Sequence, residues 1–346
     1  MLHRLWPALE EIPGLQAVSA EWEIHIGEGS DALKSLFIPT DRFAESIPIA
    51  DDPYSSYRVV RHAPDDIVGI HDGGGPVITL SKRDVLIYRL DHQRLIHQVT
   101  TALGIELAAA NIDGVPHAYR VGSLRPFAGF IFPVFLALPL ESEDLQRAVE
   151  VISAQCNGPF LLLAPTRRRL RPATELLLKN RNACFLVLDE AIRVDVGGDW
   201  VATAGATQAL GDFLRLAIPQ AAETGVMAFF PTPVDARWSD VRIKFTDGHT
   251  VSVKVGEAIG TFAYSQMGMA DGRNAKPTVQ WQLLRSFADN FGAMTWENSG
   301  AKRENQKRRD NLVRDLKAFF RIDGDPIEYI EQIKGWRTVF TIEPDA

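Results

Sequence analysis

The sequence predicts a multidomain protein of mixed α/β and α+β class: a small β-rich N-terminal region, a central α/β sheet domain, and a C-terminal domain of helices and hairpins. Three observations carry this prediction. β-Branched runs bounded by Gly and Pro fill the first third. Continuous apolar runs alternate with amphipathic stretches in the middle. Strict two-residue alternation, then a basic helical pattern, marks the last third.

At 346 residues the chain exceeds one ordinary core and suits two or three domains. Its 46% hydrophobic and 23% charged content is that of a globular protein. The formal net charge of -7 excludes a generic polyanion binder, so any nucleic-acid surface has to be a local basic patch. Two cysteines, Cys156 and Cys184, are too few for a disulfide framework or a cysteine-rich zinc site, and suit a reducing compartment. No signal-like N-terminus and no run of about 18 apolar residues is present, so a cytoplasmic protein without a membrane partner is expected.

Residues 1–117 form the first expected region. Ala20–Ile26 (AEWEIHI), Asp65–Asp72 and Pro76–Leu80, followed by Asp84–Leu90, read as strands of a small antiparallel sheet. Gly73-Gly74-Gly75 joins two of them as a flexible turn and lacks the spacing of a phosphate loop. Leu90–Ala110 carries Leu95, Ile96, Val99, Leu103 and Leu107 near helical spacing.

Residues 118–230 read as the α/β domain. Gly129–Leu138, Pro159–Pro165 and Cys184–Glu190 are apolar strands; Ser142–Ser153, Pro172–Lys179 and Val201–Ile218 are helical. The loop Ala164–Pro172 (APTRRRLRP) gathers Arg167, Arg168, Arg169 and Arg171 at a strand's carboxyl end, before a helix that Pro172 can open. Strand ends of open α/β sheets hold ligands, so these four arginines are candidate phosphate binders for a small anionic effector or a DNA backbone. The competing reading pairs them with Asp189 or Glu190 as a structural loop, and the balance tilts to it.

No P-loop, no G-x-S-x-G elbow and no metal-ligand spacing of histidines is found: His92 and His97, on one helix, diverge by about 140°. No cofactor and no catalytic residue is therefore assigned.

After the break Pro231–Asp235, residues 235–346 form the third domain. Val241–Val255 alternates on both sides of Asp247-Gly248, a hairpin signal. Val279–Gly292 is an amphipathic helix through Trp281, Leu284, Phe287, Ala288 and Phe291. Ala301–Arg321 holds eight basic and three acidic residues, a local excess of five positive charges. At 100° per residue Leu312, Leu316 and Phe319 share one face. Arg303, Lys307, Arg314 and Arg321 fall opposite, with Asn311 and Lys317 beside them; Arg308 is a further candidate contact. Such a helix can dock by one face and reach phosphates and base edges with the other. Ile327–Ile342 reads as two strands around Lys334-Gly335-Trp336-Arg337, a hairpin that brings Lys334 or Arg337 to the adjacent backbone or minor groove. The order is that of a winged helix-turn-helix.

The stretches LLRSFADNFGAM, RRDNLVRDLKAFF and IEQIKGWRTVFTI resemble the effector domain of response-regulator-type winged-helix transcription factors. The resemblance covers the last third. It implies that the helix carrying Arg308–Phe320 is the recognition helix, with Gly300 interrupting the short helix expected near Trp296–Ala301. The upstream segment is not a phosphoacceptor receiver domain. The expectation is a DNA-binding transcriptional regulator, as a homodimer reading two half-sites, whose α/β part senses a ligand or mediates assembly. Its rivals are a nucleic-acid-associated enzyme or defence-system component, with chemistry around Arg167–Arg169 and Asp189, and a protein–protein interaction module.

Overall fold

The computed structural model describes residues 2–27, 30–49, 52–63, 65–218, 228–272, 275–295 and 303–345. The chain is a mixed α/β protein with several sheets, divided into two compact units. Unit one is Met1–Leu124 with Phe132–Ala217; unit two is Arg125–Ile131 with Ile218–Ala346. The expected border at 117/118 instead runs through one sheet, because a strand on either side of it belongs to the same hydrogen-bonded ladder.

Unit one begins with helix α1 (Leu2–Ala8) and strand β1 (Gln16–Val18), then helices α2 (Ser19–Ile26) and α3 (Ser30–Leu33). The strand expected at Ala20–Ile26 is thus a helix: its apolar-polar alternation also fits helical spacing, and Trp22 and Ile26, four apart, are the residues it buries. Strands β2 (Phe37–Phe43), β3 (Ser46–Ile49), β4 (Asp52–Ala63), β5 (Asp66–His71) and β6 (Ile78–Leu80) follow, then the one-turn helix α4 (Lys82–Val85) and β7 (Leu86–Leu90). β3-β4-β5-β6 form one antiparallel sheet, while β7 lies between β1 and β2 in another.

Helix α5 (His92–Leu103) starts at Asp91, whose carboxylate accepts from Arg94 N (3.2 Å), and buries Leu95, Ile96, Val99 and Leu103. It stops there. Leu107, expected on it, sits in strand β8 (Glu106–Asn111) and is exposed.

The central sheet comprises β8, β9 (Ala118–Leu124), β10 (Phe132–Ala137), β11 (Leu161–Ala164) and β12 (Cys184–Val187), in the order β12-β11-β10-β9-β8. β10, β11 and β12 are parallel; β9 and β8 are antiparallel. Helix α6 (Ser142–Gln155) joins β10 to β11 and buries Leu145, Ala148, Val149 and Ile152, one stripe of a 3.6 period. Helix α7 (Pro172–Asn180) opens on Pro172 as expected. Apolar β11 is wholly buried, as a strand covered on both faces must be. Asp189 and Glu190, expected to end a strand, form the turn α8 (Leu188–Ala191), before β13 (Ile192–Val194), β14 (Trp200–Ala202) and α9 (Ala204–Ala217).

In unit two, β15 (Val241–Phe245) and β16 (Thr250–Val255) form the expected hairpin, in register from Val241 against Val255 to Phe245 against Val251. β17 (Ala258–Ala263) extends it. Helix α10 (Val279–Asp289) follows, then β18 (Ala293–Thr295), helix α11 (Arg303–Phe320), and strands β19 (Ile327–Ile330), β20 (Gly335–Thr338) and β21 (Thr341–Glu343). β21 joins β15 in parallel, and β18-β20-β19 form a second sheet. Trp281, Leu284 and Phe287 of α10 and Leu312, Leu316, Phe319 and Phe320 of α11 share one core with β15 and β16. Phe291, expected on α10's apolar face, lies past the helix end at φ 48° and is 77% exposed. Trp296–Ala301, the expected short helix, lies outside the described residues, as does Lys302.

Candidate nucleic-acid interface

Helix α11 is amphipathic in the sense its sequence requires. Leu312, Leu316, Phe319 and Phe320 have 0% exposure, while Lys307, Arg308, Arg314 and Lys317 are exposed and Asn311 is half-buried. Lys307, Asn311 and Arg314 fall within about 60° of one another, opposite the buried stripe, with Lys317 to one side. Arg308, four residues before Leu312, lies at the edge of the stripe itself and departs from the expected cationic face. Arg303 begins the helix, but its side chain lies outside the described residues.

The charges on this face are unequal. Arg314 bonds the neighbouring Asp315, Nε at 3.2 Å and Nη2 at 3.1 Å from Oδ1, which offsets part of its charge. Burial pushes the Asp315 carboxyl up while Arg314 pulls it down. Lys307 and Lys317 have no ion-pair partner among the described residues. Arg309 points inward: it bonds Asp325 (2.7 Å), Asp310 (3.0 Å) and the Ile327 carbonyl, tying α11 to the start of β19.

Arg321 departs from the expected cationic face. The helix ends at Phe320, Arg321 takes φ 56°, and its N–H closes on Lys317 O at 2.8 Å. This left-handed residue redirects the side chain. Its guanidinium carbon lies 3.9 Å from the Phe130 ring centroid and 4.7 Å from that of Phe229, a cation resting against two π faces that also touch each other. Burial pushes its ionisation below the ordinary value. Gly129 makes room: a Cβ there would lie 2.5 Å from Arg321 Cδ.

The closing hairpin has a different tip from the one expected. Glu331–Ile333 form a single 3-10 turn and Lys334 ends it at φ 46°, exposed. Gly335, Trp336 and Arg337 instead belong to β20, because that strand pairs with both β18 and β19. At Gly335 a Cβ would meet the Met294 carbonyl oxygen at 2.2 Å, so only glycine admits the ladder. Arg337 is exposed opposite Glu328, its cross-strand neighbour. Lys334 is therefore the cation at the hairpin's end, and Arg337 lies within the sheet.

The arginine loop of unit one is matched to the protein's own acids. Arg167 faces Glu190 (3.6 Å), Arg168 faces Glu11 (2.7 Å), Arg169 faces Glu141 (3.4 Å) and Arg171 faces Glu143 (2.8 Å). Arg169 Nη2 also donates to Glu10 O at 3.0 Å. At the carboxyl end of β11, a carboxylate already takes the hydrogen bonds a phosphate would use: Glu10 accepts from the Thr166 hydroxyl and amide. The sequence identified the loop's position in the sheet, but not Glu10, which lies 156 residues away.

Among the described residues no helix is long and apolar enough to cross a membrane. Cys156 and Cys184 are free thiols. The chain matches no protein-family model, no curated protein and no solved structure.

Proposed function

We propose that unit two is a winged helix-turn-helix domain that binds duplex DNA, and that the protein is a transcriptional regulator. The observation that carries this reading is the opposition on α11 of buried Leu312, Leu316 and Phe319 to exposed Lys307, Arg314 and Lys317. Helix α11 is the element offered to the major groove, where Lys and Arg meet phosphate or guanine and Asn311 meets adenine. The β19–β20 hairpin is the wing, with Lys334 at its tip. The order sheet, helix, short strand, basic helix and hairpin supports the assignment. Unit one senses a ligand or mediates assembly.

The test is a salt-titrated affinity measurement on the full chain with duplex DNA, single strands and RNA. Affinity for duplex should fall steeply with salt, since each neutralised phosphate releases counterion. Reversing Lys307, Arg314 and Lys317 to Glu should weaken binding by at least about tenfold and reduce the salt slope by about 2 to 3. Unchanged affinity in that variant would refute the interface. A folded wild type with no affinity for any of the three polymers would favour a protein-binding module.

A further inference from the structure

Unit one contains an open cavity of about 560 Å³ where β8 turns into β9. Its wall is the loop Asn111–Ala118, built as two successive tight turns. Ile112 and Val115 are its buried anchors; Val115 N donates to Ile112 O at 3.2 Å and Ala118 N to Val115 O at 3.4 Å. In the second turn Pro116 takes the first central position and His117 the second, with φ 56°. Proline followed by positive φ is the type II arrangement, in which glycine or asparagine is the favoured second residue. Histidine in this place carries a steric cost that glycine would avoid, and such outliers gather at functional sites.

The side chain that incurs this cost lines the cavity, and so do two others with N–H groups to offer an anion, His92 and Arg147. The His92 ring, at the start of α5, stacks on Tyr119 with 5.0 Å between centroids and 9° between planes. Arg147, exposed on α6, lines the same space and has no ion-pair partner among the described residues. Leu138 N donates to His117 O at 2.9 Å, which anchors the loop at the carboxyl end of β10. Ligands of open α/β sheets lie at that end.

Two acids balance these groups: Asp113 on the rim, and Asp144, which favours the charged imidazole of His117. Against it, burial and the neighbouring His92 push the His117 imidazole down. Among the described residues no three His, Cys, Asp or Glu side chains are grouped to hold a metal ion.

We propose that this cavity binds a small phosphate-bearing anion through His92, His117 and Arg147. The planar guanidinium fork and imidazole N–H groups suit the several acceptor oxygens of phosphate. The site is independent of the nucleic-acid reading, and its assay contains no nucleic acid.

Full-length protein would be titrated calorimetrically with inorganic phosphate and with glycerol phosphate, against chloride and acetate at equal ionic strength. Both phosphates should bind with one site per chain, and the imidazole resonances of His92 and His117 should shift. A preference for the ester would identify the ligand as a phosphorylated metabolite; equal affinity would identify free phosphate. His117→Gly should lower affinity by at least about tenfold while leaving the melting temperature equal or higher, because glycine suits the turn. Arg147→Gln should lower affinity similarly with the fold intact. The proposal is overturned by a wild type that does not distinguish phosphate from chloride, or by affinity retained in both variants. A lower melting temperature of His117→Gly with undiminished affinity would also overturn it, by making His117 a structural residue.

Discussion

Thr166 holds the carboxylate of Glu10: its hydroxyl donates to Oε2 at 2.6 Å and its backbone N–H to Oε1 at 3.0 Å. Glu10 is 1% exposed, so the chain has buried an acid at the end of its first helical segment and satisfied it from a loop far along the sequence. Burial raises the Glu10 carboxyl, and the hydrogen bonds of Thr166 with the charges of Arg169 and Arg168 only partly oppose that.

The pH dependence follows with a definite sign. With its pKa raised in the folded state, Glu10 contributes stability that is fully present below the ordinary carboxyl value and is lost as pH rises through the raised one. As pH rises above the ordinary carboxyl range the wild type should lose part of its unfolding free energy through this group. Glu10→Gln, which cannot ionise but can still accept from Thr166, should lack that component. Denaturant midpoints of both proteins across this rise in pH would test it, and parallel curves would contradict it.

Gly129 and Arg321 give a second expectation. Gly129 has φ 77°, and Arg321 is packed against the Phe130 and Phe229 rings where an added methyl would sit. Gly129→Ala combines backbone strain with displacement of the guanidinium and should cost about 1–3 kcal/mol. Chemical denaturation followed by tryptophan fluorescence would read the loss, since Trp238 and Trp281 lie in the unit-two core. An unchanged midpoint would show that Arg321 is free to move.

Cys184 offers a chemical test. Burial pushes its thiol up to about 11, which leaves about one thiolate in a thousand at pH 8. Native protein should therefore react with a thiol reagent chiefly at Cys156, and Cys156→Ser should leave a slow reaction that accelerates on unfolding. Burial raises the Cys156 thiol too, but less far; equal rates at the two would be inconsistent with the stronger shift at Cys184.

Legibility from the sequence depended on how far each segment's chemistry is local. β11 and β12 were readable because a short apolar run between turn signals has few alternatives to a covered strand. The β15–β16 hairpin was readable because alternation and Asp247-Gly248 agree. In α2 the same alternation misled, since residues four apart satisfy a helix equally well. β4 (DPYSSYRVVRHA) escaped notice because its side chains are largely half-buried or exposed and its order comes from pairing on both sides.

On α11 the opposition of charge and core was local and legible; the inward turn of Arg309 and the departure of Arg321 were not, since Asp325, Phe130 and Phe229 decide them. His117 has no ligand-spaced partner in the sequence. Its signal is the dipeptide Pro116-His117, a proline placed before a residue that its turn would prefer to be glycine.

Phe130, which covers one side of Arg321, belongs to a seven-residue segment, Arg125–Ile131, that unit two takes from between two paired strands of the central sheet. Unit two is therefore not a portable cassette. A gene fragment starting after Ala217 would encode its helices and sheets without the phenylalanine beneath that cation, so truncation and domain fusion would both break it. The ribosome delivers those seven residues long before the rest of unit two exists. They have to wait for Arg321, and the unit-two sheet is complete only once the chain has been made through β21, which pairs with β15.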